Sequence, residues 1–116
     1  MSWLRGANAA SRALRHLEAR GLELVNRNWR CKGGELDLVM RDGDTLAIIE
    51  VRSCSRADFG SALESVDARK QGRLIHAAQL FLASHREHAH REVRFDVVAL
   101  DGNELQWLKA AFDAGG

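Results

Sequence analysis

The chain contains no proline and no low-complexity tract, so nothing in it reads as a linker. A single domain over 1–116 is expected, because 116 residues support one core and not two. No internal repeat is visible. No apolar run approaches the roughly 20 residues of a membrane span, and Met1-Ser2-Trp3-Leu4-Arg5 lacks the apolar core of a signal peptide. The expected compartment is the cytoplasm, with no membrane partner. Cysteine is scarce. Cys31 and Cys54 are expected to be reduced thiols, since a zinc site needs more ligands at tighter spacing. An excess of one charge is also missing: 17 Lys and Arg against 16 Asp and Glu leave a net charge of +1. Any nucleic-acid affinity must then come from a local patch and not from a global field.

Hydrophobic residues make up 46% and charged residues 28% of the chain, as in ordinary soluble globular proteins. Trp3, Ala7, Ala10, Leu14 and Leu17 recur at helical spacing and predict an amphipathic helix over 3–20, stopped by Gly21. Strands are predicted over 22–30, 35–41, 45–53, 92–100 and 104–108. Asp42-Gly43-Asp44 signals a hairpin turn between the second and third. A loop carrying Phe59-Gly60 precedes a second helix over 66–84, whose apolar stripe is Leu74, Ala78, Phe81 and Leu82. The fold class is α/β, in the order α-β-β-β-α-β-β, with helices packed on a mixed sheet. The short turn makes strands two and three antiparallel. The helical connection suits a right-handed crossover to a parallel strand four.

The hairpin carries the informative chemistry. With Asp42-Gly43 as the turn, Glu35 comes opposite Glu50; with Gly43-Asp44, Asp37 does. Either way Glu35, Asp37 and Glu50 share a face with Arg52 beside them, because directly paired residues and their neighbours two places on point the same way. An odd-numbered loop would separate them. Like charges so placed repel, and a hard cation such as Mg²⁺ or Mn²⁺ would relieve the repulsion. The competing reading is the solvated face of an ordinary antiparallel sheet, with Arg52 paired to Glu50 or Glu35. Spacing alone favours that plainer reading.

Gly34-Glu35-Leu36-Asp37-Leu38 followed, after twelve residues beyond Asp37, by Glu50-Val51-Arg52 resembles the D…(D/E)xK signature of restriction-endonuclease-like nucleases. More specifically, the chain is similar to the YraN family of bacterial proteins. Asn26-Arg27-Asn28-Trp29-Arg30, Phe59-Gly60, Lys70 with Arg73, Arg94-Phe95-Asp96-Val97-Val98 and Ala111-Phe112 carry the likeness from about Gly6 to Phe112. The signature alone is weak; the ordered set is fairly specific. The resemblance implies a restriction-endonuclease-like core of the kind found in junction resolvases, acting on phosphodiester bonds of nucleic acid. DNA is the expected partner and branched DNA the structure suggested. Asp37 and Glu50 would be ligands of Mg²⁺ or Mn²⁺. Glu35 would be an outer or additional ligand. Arg52 would stand where the signature lysine holds water or the scissile phosphate. Such folds are often homodimers, though no diagnostic dimer stripe is present.

Two departures stand out. Arg52 can clamp a phosphate and stabilise transition-state charge but cannot serve as a base. Family members often carry a glutamate where this chain has Ala10. Both push toward weak or absent hydrolysis, and so toward a nucleic-acid-binding module on a nuclease scaffold as the alternative.

Lys70 and Arg73 border the apolar stripe of the second helix. They are candidates for phosphate contacts, with a solvated helix edge as the equal alternative. Arg27, Arg30 and Lys32 read first as a solvated strand end and second as a basic rim. His85, His88 and His90 read as a helix end and not as a metal site. Asp96 reads first as a buried, hydrogen-bonded structural acid and second as a neighbour of the site. Trp3, Trp29 and Trp107 read as packing residues rather than base-stacking platforms.

Overall fold

Helix α1 (Ser2–Glu18) opens the chain in the computed structural model, which describes residues 2–114 and, for 2–7 and 56, the backbone only. The expected packing of Trp3 and Ala7 therefore lies outside the described side chains, as Gly115 and Gly116 lie outside the described residues. Of the remainder of the predicted stripe, Ala10 and Leu17 are buried and Leu14 is half-buried, and Ala9 and Ala13, outside the predicted stripe, are buried beside them. The helix stops as expected at Gly21. Leu22 N–H donates to the Leu17 carbonyl at 3.1 Å and Gly21 N–H to that of Glu18 at 3.0 Å. This paired closure brings Leu17 and Leu22 into one cluster.

Strands β1 (Glu23–Cys31), β2 (Gly34–Asp42) and β3 (Thr45–Ser53) follow. Then come helices α2 (Phe59–Glu64) and α3 (Ala68–Ser84), and strands β4 (Val93–Leu100) and β5 (Leu105–Phe112). The sheet is open, in the spatial order β1-β2-β3-β4-β5. Its β3–β4 pair is parallel and the others antiparallel. The fold is thus mixed α/β, with a five-stranded sheet flanked by helices. The crossover holds one helix more than expected. Helix α2 is six residues long, too short to show a helical period, yet Phe59 and Ala62 are buried against Ala99.

Each face of the sheet has its own cover. Helix α1 packs on Leu38, Met40, Ala47, Ile49, Val98 and Leu100. Helix α3, through Leu74, Ala77, Ala78 and Phe81, packs on Leu36, Val39, Leu46, Ile48, Phe95 and Val97. Gly34 lets α3 come close: a Cβ there would lie 3.2 Å from the Arg73 carbonyl oxygen and 3.3 Å from the Ala77 Cβ. Asp67 caps α3, its carboxylate accepting from Lys70 N–H at 2.9 Å. That cap sets Lys70 in the first turn, over the sheet.

Strand β5 runs past its expected end at residue 108. A register shift between Phe95 and Val97, with Ala110 at φ 52°, carries the strand on. Phe112 then stacks on Phe95 with ring centroids 4.8 Å apart. No helix among the described residues is long and apolar enough to cross a membrane.

Candidate functional site

The β2–β3 hairpin closes at Asp42↔Thr45, so its turn is Gly43-Asp44, the second of the two registers considered. Gly43 takes φ +62°, the half of the map that the tight turns of hairpins favour for glycine. Continuing this register brings Asp37 opposite Glu50. The backbone ladder ends one pair earlier, at Leu38↔Ile49. Beyond it, Val51 N–H donates to Asp37 Oδ2 at 2.9 Å. A side-chain oxygen thus takes the place of a strand carbonyl and orients the carboxylate.

The strands part here because β2 changes face at Asp37. Leu36 packs toward α3 and Leu38 toward α1, although simple alternation would put both on one side. Strand β1 makes the matching change at Asn28, which faces Asp37 by register and takes φ 53°. Asparagine tolerates that left-handed conformation better than most residues. On either side of it, Arg27 donates to Ser11 of α1 at 2.8 Å, whereas Trp29 packs edge-on against Phe81 of α3.

Glu50 lies under α3 and is 5% exposed. Lys70 Nζ is 3.4 Å and Arg52 Nη2 3.3 Å from its Oε2. Burial, and then the Asp37 charge, push the Glu50 carboxyl up to about 7. Lys70 and Arg52 pull the other way and do not prevail. Asp37 also shares a hydrogen bond with Glu50, which favours the protonated form. The Nε of Arg52 is buried with no hydrogen-bond partner, a cost that an acceptor brought in from outside would remove.

The expected trio of carboxylates is a pair. With Leu36 turned to α3, Glu35 points away from that face, and it forms an ion pair with Arg30 at 2.7 Å. Among the described residues no group of three or more His, Cys, Asp or Glu is gathered to hold a metal. Two carboxylates still fit Mg²⁺ or Mn²⁺, since Mg²⁺ is commonly held by one or two carboxylates, its remaining positions going to water and substrate phosphate. Lys70 joins the site as a partner of Glu50, which the packing of α3 explains and strand periodicity cannot. Arg73 is exposed.

The remaining candidates sit elsewhere. Asp96 is the structural acid expected. It accepts from Arg94 Nε and Nη2 at 2.9 Å each, from Trp107 Nε1 at 3.0 Å and from Ala110 N–H at 3.0 Å. Trp107 is thereby committed to the β4–β5 pair, and Trp29 to the α3 core. His85 stacks on Phe81 with ring centroids 3.9 Å apart. His88 Nδ1 accepts from Arg91 at 3.0 Å. Cys31 and Cys54 are free thiols.

The sequence model of the family described as "Uncharacterised protein family UPF0102" matches residues 9–100. A UPF0102 protein of Pseudomonas putida (strain W619) is 55% identical over 113 residues, 93% of this chain and 92% of the relative. One from Pseudomonas entomophila (strain L48) is 56% identical over 113 residues, again 93% and 92%. One from Stutzerimonas stutzeri (strain A1501) is 50% identical over 113 residues, 94% of each chain.

Proposed function

The chain belongs to the uncharacterised protein family UPF0102, and for this member of it we propose a divalent-metal-dependent, restriction-endonuclease-like nuclease acting on DNA phosphodiester bonds. The observation that carries the reading is Glu50, a carboxylate only 5% exposed that faces Asp37 where the β2–β3 ladder opens. Buried charges are expensive unless paired or bound to metal. An acid pair kept at the point where two strands open is better explained by a cation it must hold than by strand pairing, which it interrupts.

In this proposal Asp37 and Glu50 are the ligands, and Glu35, held by Arg30, is left out. Mg²⁺ or Mn²⁺ bound there supplies Lewis acidity toward a phosphoryl oxygen and lowers the pKa of water. The protein supplies the rest. Val51 N–H fixes the angle of Asp37. Glu50 would have to be deprotonated to serve as a ligand. Arg52 turns its unpartnered Nε to a phosphate oxygen, a charge-assisted contact that grows in value as charge develops on the transferring group. Lys70 keeps Glu50 seated and offers a second cation to the same phosphate. Arginine does not act as base and Glu50 is committed as a ligand, so the proton of the attacking water would pass to solvent.

Calorimetric titration with Mn²⁺ should show binding by the wild type and none by Asp37→Ala. Branched, single-stranded and duplex DNA incubated with Mn²⁺ should be cut by the wild type and left intact by Asp37→Ala, Glu50→Ala. Equal cleavage by that double variant would end the proposal.

A second reading, a DNA-binding module without turnover, is favoured by one specific observation. Ala10 is buried in the α1 stripe at 7% exposure, so α1 brings no carboxylate from that position to the sheet. Under this reading DNA binds with strong salt dependence and no product forms.

A further inference from the structure

A second charged feature lies at the same end of the sheet as Glu50 and Arg52. Strands β3 and β4 run parallel with Arg52↔Ala99 and Ser53↔Leu100 in register, and Cys54 N–H donates to the Leu100 carbonyl at 2.9 Å. The chain leaving β4 at Asp101-Gly102-Asn103 therefore emerges beside the end of β3. There it meets α1, which covers the face opposite α3. A pocket of about 330 Å³ lies between them, lined by Arg12, Arg15, His16, Asn103 and Leu105.

We propose that this pocket is a phosphate subsite for a nucleic-acid backbone that passes over the end of the sheet from the Asp37–Glu50 pair. The inference rests on the nuclease reading for its substrate class. Arg12 gives the pocket rigidity, since its guanidinium donates to the Asp101 carbonyl and ties α1 to the β4–β5 turn. A guanidinium has five N–H donors, so that bond leaves most of them for a ligand. Among the described residues neither Arg12 nor Arg15 has a carboxylate partner. The acids of the turn are themselves engaged: Asp101 Oδ1 accepts from Asn103 N–H at 2.7 Å and from Glu104 N–H at 2.6 Å, and the Asp101 and Glu104 residues each make a further interaction. The Asn103 amide and the His16 ring add neutral donors: burial and the Arg20 charge hold His16 below the ordinary histidine range.

The charge distribution agrees. Residues 1–32 contain seven Lys and Arg against two acids, while the rest of the chain contains ten against fourteen. The near-neutral total conceals a basic N-terminal third. Arg12 and Arg15 of the pocket come from that third, and local positive charge is what a phosphodiester backbone needs when the protein has no global field.

The test uses the full chain carrying Asp37→Ala, Glu50→Ala, which cannot cut, and a fluorescein-labelled single-stranded oligonucleotide in chelator-containing buffer. Adding Arg15→Glu should weaken binding about tenfold or more at low salt and flatten the log–log salt dependence by about one. Asn103→Asp should weaken it in the same direction. Arg86→Glu, in the turn before β4 at the other end of the sheet, should change neither. Arg15 is exposed, so thermal melts should show the fold intact. In the parent, the oligonucleotide should shift the His16 ring resonances. Wild-type-like binding by both pocket variants, or no oligonucleotide binding by the parent at low salt, overturns the subsite. Loss of DNA binding in Arg15→Glu with no Mn²⁺ uptake by the native protein would keep the subsite and remove the metal reading. Intact binding in Arg15→Glu alongside metal-dependent cleavage would do the reverse.

Discussion

Raising the pH from about 5 to about 8 should destabilise the metal-free protein through Glu50, to an extent that follows from its surroundings. Its carboxyl is raised from 4.5 to about 7, by burial first and then by Asp37. The unfolded chain releases this proton near 4.5, whereas the native state keeps it until about 7. Between those values the native state binds more protons, so stability falls as pH rises. The contribution is complete below 4.5 and lost through about 7. At about 1.36 kcal/mol per pH unit the loss is about 3 kcal/mol, a large share of the roughly 5–15 kcal/mol that holds a small domain together. His16 and His88 act in the opposite direction. Burial lowers both, so each adds stability as pH rises through the ordinary histidine range. The raw pH curve mixes these effects, and the difference between wild type and Glu50→Gln isolates the carboxylate. Urea melts should find the variant no more stable than wild type near pH 5 and about 3 kcal/mol more stable near pH 8, a midpoint difference of about 1–3 M. Saturating Mn²⁺ should restore the wild type at the higher pH and leave the variant unmoved. A wild-type-minus-variant difference that stays flat across this range would show that Glu50 ionises like a surface acid, and the argument for a constrained pair would fail.

The neighbours of Glu50 give opposite signs. Lys70→Met removes a charge that lowers the Glu50 carboxyl and should move its titration above 7, while Asp37→Asn should move it below; carboxyl-carbon NMR reads both. Mn²⁺ affinity should rise with pH up to about 7 and then level off, because ligation must displace the Glu50 proton. Titrations in buffers of different ionisation enthalpy will count that proton, and a pH-independent affinity would be incompatible with Glu50 as a ligand. Asp96→Ala strips the acceptor from Arg94, Trp107 and Ala110 N–H at once and should cost about 3–5 kcal/mol in urea melts, with little effect on Mn²⁺ binding. A cost under about 1 kcal/mol would mean the network relaxes without it.

The sequence made the architecture legible wherever one period ran long enough to be counted. The α1 stripe, the alternation of 35–41 and the hairpin turn lead directly to a mixed sheet flanked by helices. It also brought Asp37 and Glu50 together, because both two-residue turns keep the odd positions of β2 on the Glu50 face. What it could not reach were the points where a period breaks. Alternation assigns Leu36 and Leu38 to one face and Glu35 and Asp37 to the other. The change of face at Asp37, matched by Asn28 across the pair, parts the leucines and turns Glu35 away. That break depends on which helix covers which leucine, a tertiary fact with no local signature. Lys70 follows the same logic: its helical position was readable, but its reach to Glu50 depends on how closely α3 settles on Gly34. The open ladder at Asp37 is therefore part of the site and not a flaw beside it. In a fully paired hairpin the Val51 N–H would bond a β2 carbonyl, and Asp37 would lose the donor that aims it at Glu50. The same opening lets β2 expose its carboxylate and denies the chain a regular period there, so the residues hardest to place from sequence are those the proposed chemistry uses.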